Sequence, residues 1–259
     1  MAKRIVFVVS DDKNSQKFVD EVEIEFEWFP GFAKSQKQKS IQSLHENYLK
    51  TYGLAHNKTR VLEISTKSNT KLGVELSAFR LKFYHPELKK EIPVENIFQS
   101  SKVFEAEGIP EGVQYLDLLE KSPSEAKKDP RLKEGKKLIG FRFLGIEWPL
   151  EPKTLFYDWI YINAVYQNKR LRKKITEYDA FTDIEFNPKK SINCQAKAAA
   201  LYVSLYRRGL LEKALESVEN YKQIIAGRQQ NANDKQIKSE GQLRFEGFPE
   251  TSKNRKKVR

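Results

Sequence analysis

Apolar and acidic residues alternate strictly near the amino terminus, and this pattern limits the possible folds more than any other in the sequence. Val22, Ile24, Phe26 and Trp28 are separated by single glutamates. Successive side chains of a strand point to opposite faces, so this period predicts a half-buried β-strand with one face on the core. The largely β-branched run Ile5–Val9 predicts a buried strand just before it. The beginning of the chain is therefore expected to form a sheet.

The second half of the chain carries helix signals instead. Ser122, followed by Pro123 and by Glu125, has the pattern of a capped helix start. Gly209 is placed to end a helix that begins near Ser191. The segment Ser35–Lys50 is predicted to be a helix or an ordered loop, and further helices are predicted from Pro152 and over Leu210–Ile225. Strands are predicted over Val61–Thr66, Val74–Phe83 and Leu138–Ile146. The pattern predicts an α+β fold in a single domain, mainly helical with short N-terminal strands.

Composition divides this domain into three parts. Residues 1–90 are rich in strand signals, and residues 91–226 form the mainly helical part. Residues 227–259 are rich in Gln, Asn and Lys and end in the basic run Arg255–Arg259. Such a composition predicts a flexible basic tail, which either contacts phosphates or is a solvated terminus.

Charge and cysteine content restrict the setting of the protein. The 259 residues carry a formal net charge of +12 at pH 7, which favours association with polyanions such as nucleic acids. The single cysteine, Cys194, excludes an intrachain disulfide and suggests a reducing compartment. The first apolar run is too short for a signal peptide, and no segment approaches the ~20 apolar residues of a membrane-spanning helix. We therefore expect a cytoplasmic protein without a membrane partner.

The segment Val94–Phe104 contains the most suggestive pair of side chains. If it forms one helix, Glu95 and Lys102 share a face, because positions seven apart end only about 20° out of register. The rise between them is roughly 10 Å, which two long side chains can bridge. A carboxylate beside a lysine of lowered pKa suits nucleophilic attack on a carbon at the aldehyde oxidation level. The alternative is a solvated polar stripe on an amphipathic helix.

Three other clusters have both a functional and a structural interpretation. In an extended segment Phe181–Phe186, Asp183 and Glu185 share one side; they supply a second carboxylate for glycosidic-bond chemistry or form an acidic edge strand. The basic run Lys169–Lys174 either tracks phosphates or is a solvated helix end. The aromatic and lysine-rich segment Phe29–Ser40 either stacks on bases or is ordinary surface.

Motifs for common cofactors and metals are absent from the sequence. It contains no P-loop, no G-x-G-x-x-G and no G-x-S-x-G. The histidines, His45, His56 and His85, are far apart and lack metal-ligand spacing. We therefore predict neither a cofactor nor a metal.

Several motifs in order resemble the NADAR (NAD- and ADP-ribose-associated) superfamily. Val94–Phe104 is similar to its signature helix, in which an E-H-type dipeptide precedes F/Y-Q and then K-F. Other segments resemble further motifs of the family and occur in the same order along the chain. They are Leu76–Phe79, Ser122–Arg131, Trp148 with Lys153 and Asp158, Gln167–Asn168, and Asn193. The sequence departs from the general family pattern at Asn96, Ala78 and Phe181–Phe186. Together with Trp28–Phe32 and Phe156–Trp159, these departures favour the subgroup encoded beside DarT-type toxins.

This resemblance implies a NADAR-like (YbiA-like) core and an N-glycosidase that removes ADP-ribose from guanine in DNA, reversing a DarT-type toxin. Lys102 would form a Schiff base with the opened ribose, Glu95 would transfer protons, and Asp183 would hold the ribose or assist water. The implied ligand-binding residues are Ser77, Gln99, Arg131, Trp148, Asp158 and Asn193. The implied partners are ADP-ribosylated DNA, preferably single-stranded, and a DarT-type toxin.

Two rival functions use parts of the same sequence. An N-glycosidase acting on a small phosphoribosylamino metabolite, of the kind linked to riboflavin, would need Glu95 and Lys102 but no extended basic surface. A non-enzymatic protein that binds nucleic acid, ADP-ribose or its toxin would tolerate the loss of both side chains. Salt-sensitive activity on oligonucleotides would argue against the first rival. Loss of function in variants of Glu95 or Lys102 would argue against the second.

Overall fold

The computed structural model describes residues 1–188 and 191–225; the predicted tail from residue 227 lies outside them. The strands of this part are β1 (Ala2–Val9), β2 (Val19–Phe26), β3 (Val61–Glu63), β4 (Lys82–His85), β5 (Lys90–Pro93), β6 (Lys102–Ala106), β7 (Ile109–Val113), β8 (Leu138–Phe143), β9 (Ile146–Trp148) and β10 (Ala180–Thr182). The α-helices are α1 (Lys34–Tyr48), α2 (Lys71–Glu75), α3 (Val94–Ser100), α4 (Pro123–Lys128), α5 (Leu155–Gln167), α6 (Lys169–Ile175), α7 (Gln195–Arg207) and α8 (Leu211–Glu216). Shorter helical turns cover Leu49–Gly53, Leu116–Leu119 and Pro130–Leu132, and residues 218–225 are helical.

The N-terminal sheet is completed by a strand from the second half of the chain. Its order is β2-β1-β10-β3, with β10 antiparallel to β1 and parallel to β3. Two smaller sheets have the orders β4-β5 and β7-β6-β8-β9. The predicted α+β fold and single domain are confirmed, because both halves of the chain share the first sheet.

The central strand β1 is buried on both faces, which explains its continuous apolar run. Phe7 and Val9 pack into the large core around α5 and α7. Val6 and Val8 face a second core, formed with α1 and β2. The four-stranded sheet therefore lies between α1 on one side and α7 on the other, and the alternating side chains supply both layers.

Several local predictions are confirmed. Ser122 and Glu125 form the reciprocal capping box at the start of α4, with Pro123 at the first helical position. Gly209 has a positive φ of 70°, the left-handed conformation that ends a helix after α7. The segment Ser35–Lys50, predicted as a helix or an ordered loop, largely forms the helix α1.

The predicted single helix over Val94–Phe104 is wrong, because α3 ends at Ser100 and Lys102 begins β6. The hydroxyls of Ser100 and Ser101 both donate to the carbonyl of Ile97, at 3.1 and 2.7 Å. Such side-chain bonds compete with the helix ladder. Val103 then pairs with Gly140 of β8. Strand pairing with a distant segment therefore replaces the last helical turn.

Other predicted elements differ in kind or extent. The predicted strand over Val74–Phe83 is wrong: its first residues complete α2, which is capped by the Thr70 hydroxyl, and only its last two enter β4. The extended segment over Phe181–Phe186 is shorter than predicted, because β10 ends at Thr182. α5 begins at Leu155, three residues after Pro152, and Ser217 interrupts the helix predicted over Leu210–Ile225. Among the described residues, no helix combines the length and apolar character needed to cross a bilayer.

Candidate functional site

A cleft of about 660 Å³ lies where the two halves of the chain meet. Its walls come from the segment after β3, the turn after α2, α3, the first residue of β6, α5, the segment after β10 and the start of α7. Of the nine site residues predicted from sequence, the cleft brings together Glu95, Lys102, Asp183, Ser77, Gln99 and Asn193. The remaining three lie elsewhere.

Lys102 reaches the cleft from the first position of β6. Burial lowers the pKa of its ammonium group to about 8, and the nearby charge of Lys127 acts in the same direction, while Glu95 opposes both. Its Nζ lies 5.0 Å from the centre of the Phe98 ring. Within the described ranges, no carboxylate forms an ion pair with Lys102. A substantial fraction of this amine is therefore neutral, and nucleophilic, near physiological pH.

Glu95 lies in the first turn of α3 and is 4% exposed. One carboxylate oxygen accepts a hydrogen bond from Gln99 Nε2 at 2.7 Å, and the other is 3.4 Å from Lys127 Nζ. Gln99 is 6% exposed. The interpretation as a solvated polar stripe is therefore wrong. The two contacts instead hold the carboxylate in one orientation inside the cleft.

Asp183 supplies a second carboxyl group, held at both oxygens. Oδ1 accepts from the backbone N–H of Glu185 at 3.0 Å, and Oδ2 accepts from Gln195 Nε2 at 2.9 Å. Burial raises the pKa of Asp183, and the neighbouring carboxylate of Glu63 raises it further. This carboxyl group is therefore able to keep its proton at a pH where an exposed aspartate is ionised.

Glu63 lies behind Asp183 and was missed by the sequence analysis. It is buried at the end of β3 and accepts hydrogen bonds from Thr182 Oγ1 and, at 2.9 Å, from the backbone N–H of Ile184. Burial raises its pKa as well. Because the Thr182 hydroxyl donates to Glu63, it accepts a hydrogen bond from His45 Nε2, which is 2.8 Å away. The sequence signal that could have identified Glu63 is its position as an acidic residue within the otherwise apolar run Val61–Ile64.

Two amide side chains in the cleft carry buried oxygens without a partner in the described structure. They are Gln99 Oε1 and Asn193 Oδ1. An unpaired buried oxygen costs about 1–3 kcal/mol, so these atoms favour a ligand that donates hydrogen bonds. Ser77 instead donates its hydroxyl to the carbonyl of Val74 at 2.6 Å. The cleft also contains Lys127 and Tyr157, which sequence analysis did not single out.

Arg131 and Trp148 do not line the cleft. The Arg131 guanidinium pairs with Asp117 at 2.6 Å and with Asp129 at 2.8 Å. Trp148 is 2% exposed and packs in the core, with ring-centre distances of 5.4 Å to Phe156 and 5.1 Å to Trp159. The structure therefore places Arg131 in an ion-pair cluster and Trp148 in the core.

Asp158 lines a separate cavity of about 560 Å³ beside Lys197 and Thr154. It is 4% exposed, and its Oδ1 has no partner in the described part of the chain. Burial raises its pKa to about 7, although Lys197 partly opposes this. The native protein therefore holds a proton on Asp158 that the unfolded chain loses at a lower pH.

The Asp158→Asn variant is expected to be more stable than the wild type at pH 8. An unfolded aspartate ionises near pH 4, so between pH 4 and 7 the native state binds the extra proton. Stability conferred by the protonated carboxyl is therefore lost as the pH rises through this window. Asparagine does not titrate, so the variant avoids this loss, which amounts to about 2–4 kcal/mol in the free energy of unfolding at pH 8. Urea unfolding of both proteins at pH 4 and pH 8 measures the difference; parallel pH dependences would contradict the expectation.

Comparison with known proteins gives a match over most of the chain. The model of the DarT1-associated NADAR antitoxin family matches residues 2–236, and a search of the curated proteins gave no match. The matched range includes every residue of the cleft, from Ser65 to Gln195. It confirms the family resemblance that the motifs indicated.

Proposed function

This chain belongs to the family of DarT1-associated NADAR antitoxins, and we propose that it removes ADP-ribose from guanine in DNA by N-glycosidic bond hydrolysis. The family gives its role as an antitoxin in a DarT system; the reaction is our proposal. One observation carries it: the Lys102 amine, with its pKa lowered to about 8, shares a cleft with the buried carboxylate of Glu95. An amine nucleophile beside an acid/base group suits this chemistry.

The first half of the proposed reaction exchanges one amine for another. The neutral Nζ of Lys102 attacks the anomeric carbon of the ribose, forming a carbon–nitrogen bond. The bond from that carbon to the guanine amino group breaks, and the Glu95 carboxylate carries one Nζ proton to the departing amine. The ribose ring then opens, and its ring oxygen takes a proton from solvent. The products of this step are unmodified guanine and a protonated imine between Lys102 and the open sugar.

The second half hydrolyses the imine. Water adds to the imine carbon with Glu95 accepting a proton, and the carbinolamine then expels Lys102 and leaves free ADP-ribose. The sum is substrate plus water giving guanine and ADP-ribose. The protonated carboxyl of Asp183 binds a ribose hydroxyl or positions the water, while Gln99 and Asn193 accept hydrogen bonds from the sugar through their unpaired oxygens.

The net charge of +12 supports a nucleic-acid substrate. A guanine inside a duplex must leave the base stack before its amino group can enter a cleft, and this costs a few kcal/mol. Single-stranded DNA is therefore the preferred substrate in this proposal, and rising salt weakens its binding.

A guanine-ADP-ribosylated oligonucleotide, incubated with wild-type protein and sodium borohydride, tests the proposal. We expect release of unmodified DNA without borohydride and a covalent protein–ADP-ribose adduct with it. Release without an adduct would overturn the imine route. No release from DNA, but turnover of a phosphoribosylamino compound, would replace the substrate by a small metabolite. Binding of the oligonucleotide without turnover would indicate a non-enzymatic protein.

The activity is expected to rise with pH as Lys102 loses its proton. Only the neutral amine attacks, so kcat/KM should increase roughly tenfold per pH unit below the pKa and level off near pH 8. A pH–rate profile from pH 5.5 to 9 under single-turnover conditions measures it. A profile that is flat or falls across pH 6–8 would contradict attack by Lys102.

A further inference from the structure

A second cavity, of about 510 Å³, shares a wall with the catalytic cleft. The wall is the segment Ser77–Lys82: Ser77, Ala78 and Phe79 line the cleft, while Arg80, Leu81 and Lys82 line the second cavity. Residues two apart in the chain have Cα atoms at most about 7 Å from each other. A polymer whose modified base occupies the cleft therefore has its adjacent unit within reach of Arg80.

This second cavity, called here the basic groove, contains two cations without an acidic partner. Arg80 and Lys169 are exposed, and neither forms an ion pair within residues 1–188 and 191–225. The acids of the groove are already matched, because Glu75 pairs with Arg170 at 2.8 Å and Glu91 lies 3.8 Å from Lys82. The uncompensated charge of the groove is therefore positive, which suits phosphate groups.

An exposed aromatic ring lies beside these cations. Tyr84 lines the basic groove and is 49% exposed. Its strand is held in place on both sides: its backbone N–H donates to Gln167 Oε1 at 2.7 Å, and the preceding Phe83 packs edge-on against Phe143. An exposed ring on a strand fixed in this way offers a surface on which a nucleobase can stack.

We propose that the basic groove binds the single strand of nucleic acid that flanks the modified guanine, with Arg80 and Lys169 on phosphates and Tyr84 under a base. The inference rests on the proposed function for what occupies the cleft. Basic side chains with an interleaved aromatic ring are the combination that binds single strands with little sequence preference. The groove makes the enzyme selective for a polymer over a free ADP-ribosylated nucleoside.

Binding of an unmodified single-stranded oligonucleotide, followed by fluorescence anisotropy, tests the groove without requiring catalysis. We expect Tyr84→Ala to weaken binding roughly 5- to 150-fold, the usual range for one stacked base. Arg80→Ala and Lys169→Ala should each reduce the slope of log Kd against log salt by about 0.7, as expected for one lost phosphate contact on a single strand. All three side chains are exposed, so circular dichroism should show unchanged folding.

Lys50→Ala is the matched control, because Lys50 is exposed, follows α1 and belongs to the layer on the other face of the four-stranded sheet. It should lower the salt slope by less than the groove variants. Groove variants that bind like Lys50→Ala would overturn the proposal. As a second readout, KM for a modified oligonucleotide should rise in the groove variants while turnover of ADP-ribosylated guanosine stays unchanged. An equal loss on both substrates would also overturn it. If neither substrate is turned over, the proposed function fails, and the binding result decides the groove alone.

Discussion

Replacement of Lys102 by alanine is expected to reduce the release of ADP-ribose from DNA by at least roughly 10³-fold. The variant loses the nucleophile, and with it the covalent step that divides the hydrolysis in two. Borohydride should then trap no adduct. Single-turnover rates on the modified oligonucleotide measure the loss. Affinity for unmodified DNA should change far less, because the basic groove is untouched.

Lys102→Arg separates nucleophilic from electrostatic roles. Arginine keeps the positive charge in the cleft, but its guanidinium stays protonated at every accessible pH and leaves no neutral nitrogen to attack. We expect this variant to be as inactive as Lys102→Ala, with a lower melting temperature, because burial disfavours a permanent charge at this position. Substantial activity in Lys102→Arg would show that the position contributes only charge and would overturn the imine mechanism.

Replacement of Glu95 by glutamine is expected to slow the reaction by about 10²- to 10⁴-fold, the usual contribution of a general acid/base. Glutamine keeps the size of the side chain and can still bond to Gln99, so the folded structure should be retained. The nucleophile remains, and borohydride should still trap a slowly formed adduct with Lys102. Rapid-quench kinetics on the modified oligonucleotide measure the rates.

The pH profile of Glu95→Gln provides a second, independent signature. The negative charge of Glu95 raises the pKa of Lys102, so its removal should move the acid limb of kcat/KM to lower pH. Glu105→Gln is the control, because Glu105 is exposed on β6 and lies outside the cleft. It should leave both rate and profile unchanged. A Glu95→Gln profile with the wild-type midpoint would mean that the two groups do not interact.

Local patterns in the sequence predicted those elements whose structure depends on near neighbours. The alternation in β2, the apolar run in β1, the capping box before α4 and the glycine after α7 all depend on residues within a few positions. The predictions that failed involve short apolar runs, such as Val74–Phe83, in which helical and strand periods cannot be told apart. Lys102 was misplaced for a related reason, since pairing with β8, far along the chain, decided its conformation.

The α+β class, the family and the residue types available for the chemistry can all be predicted from the amino-acid sequence, because they depend on composition, period and motif order. Which side chains meet depends on the folded arrangement of distant segments. Lys102 acquires its lowered pKa through burial, and Asp183 acquires its raised pKa through burial and the proximity of Glu63. Arg131, Trp148 and Asp158 have the same motif support as Gln99 yet lie outside the cleft. Burial and Coulomb interactions depend on distances between residues far apart in the chain, and folding alone sets those distances.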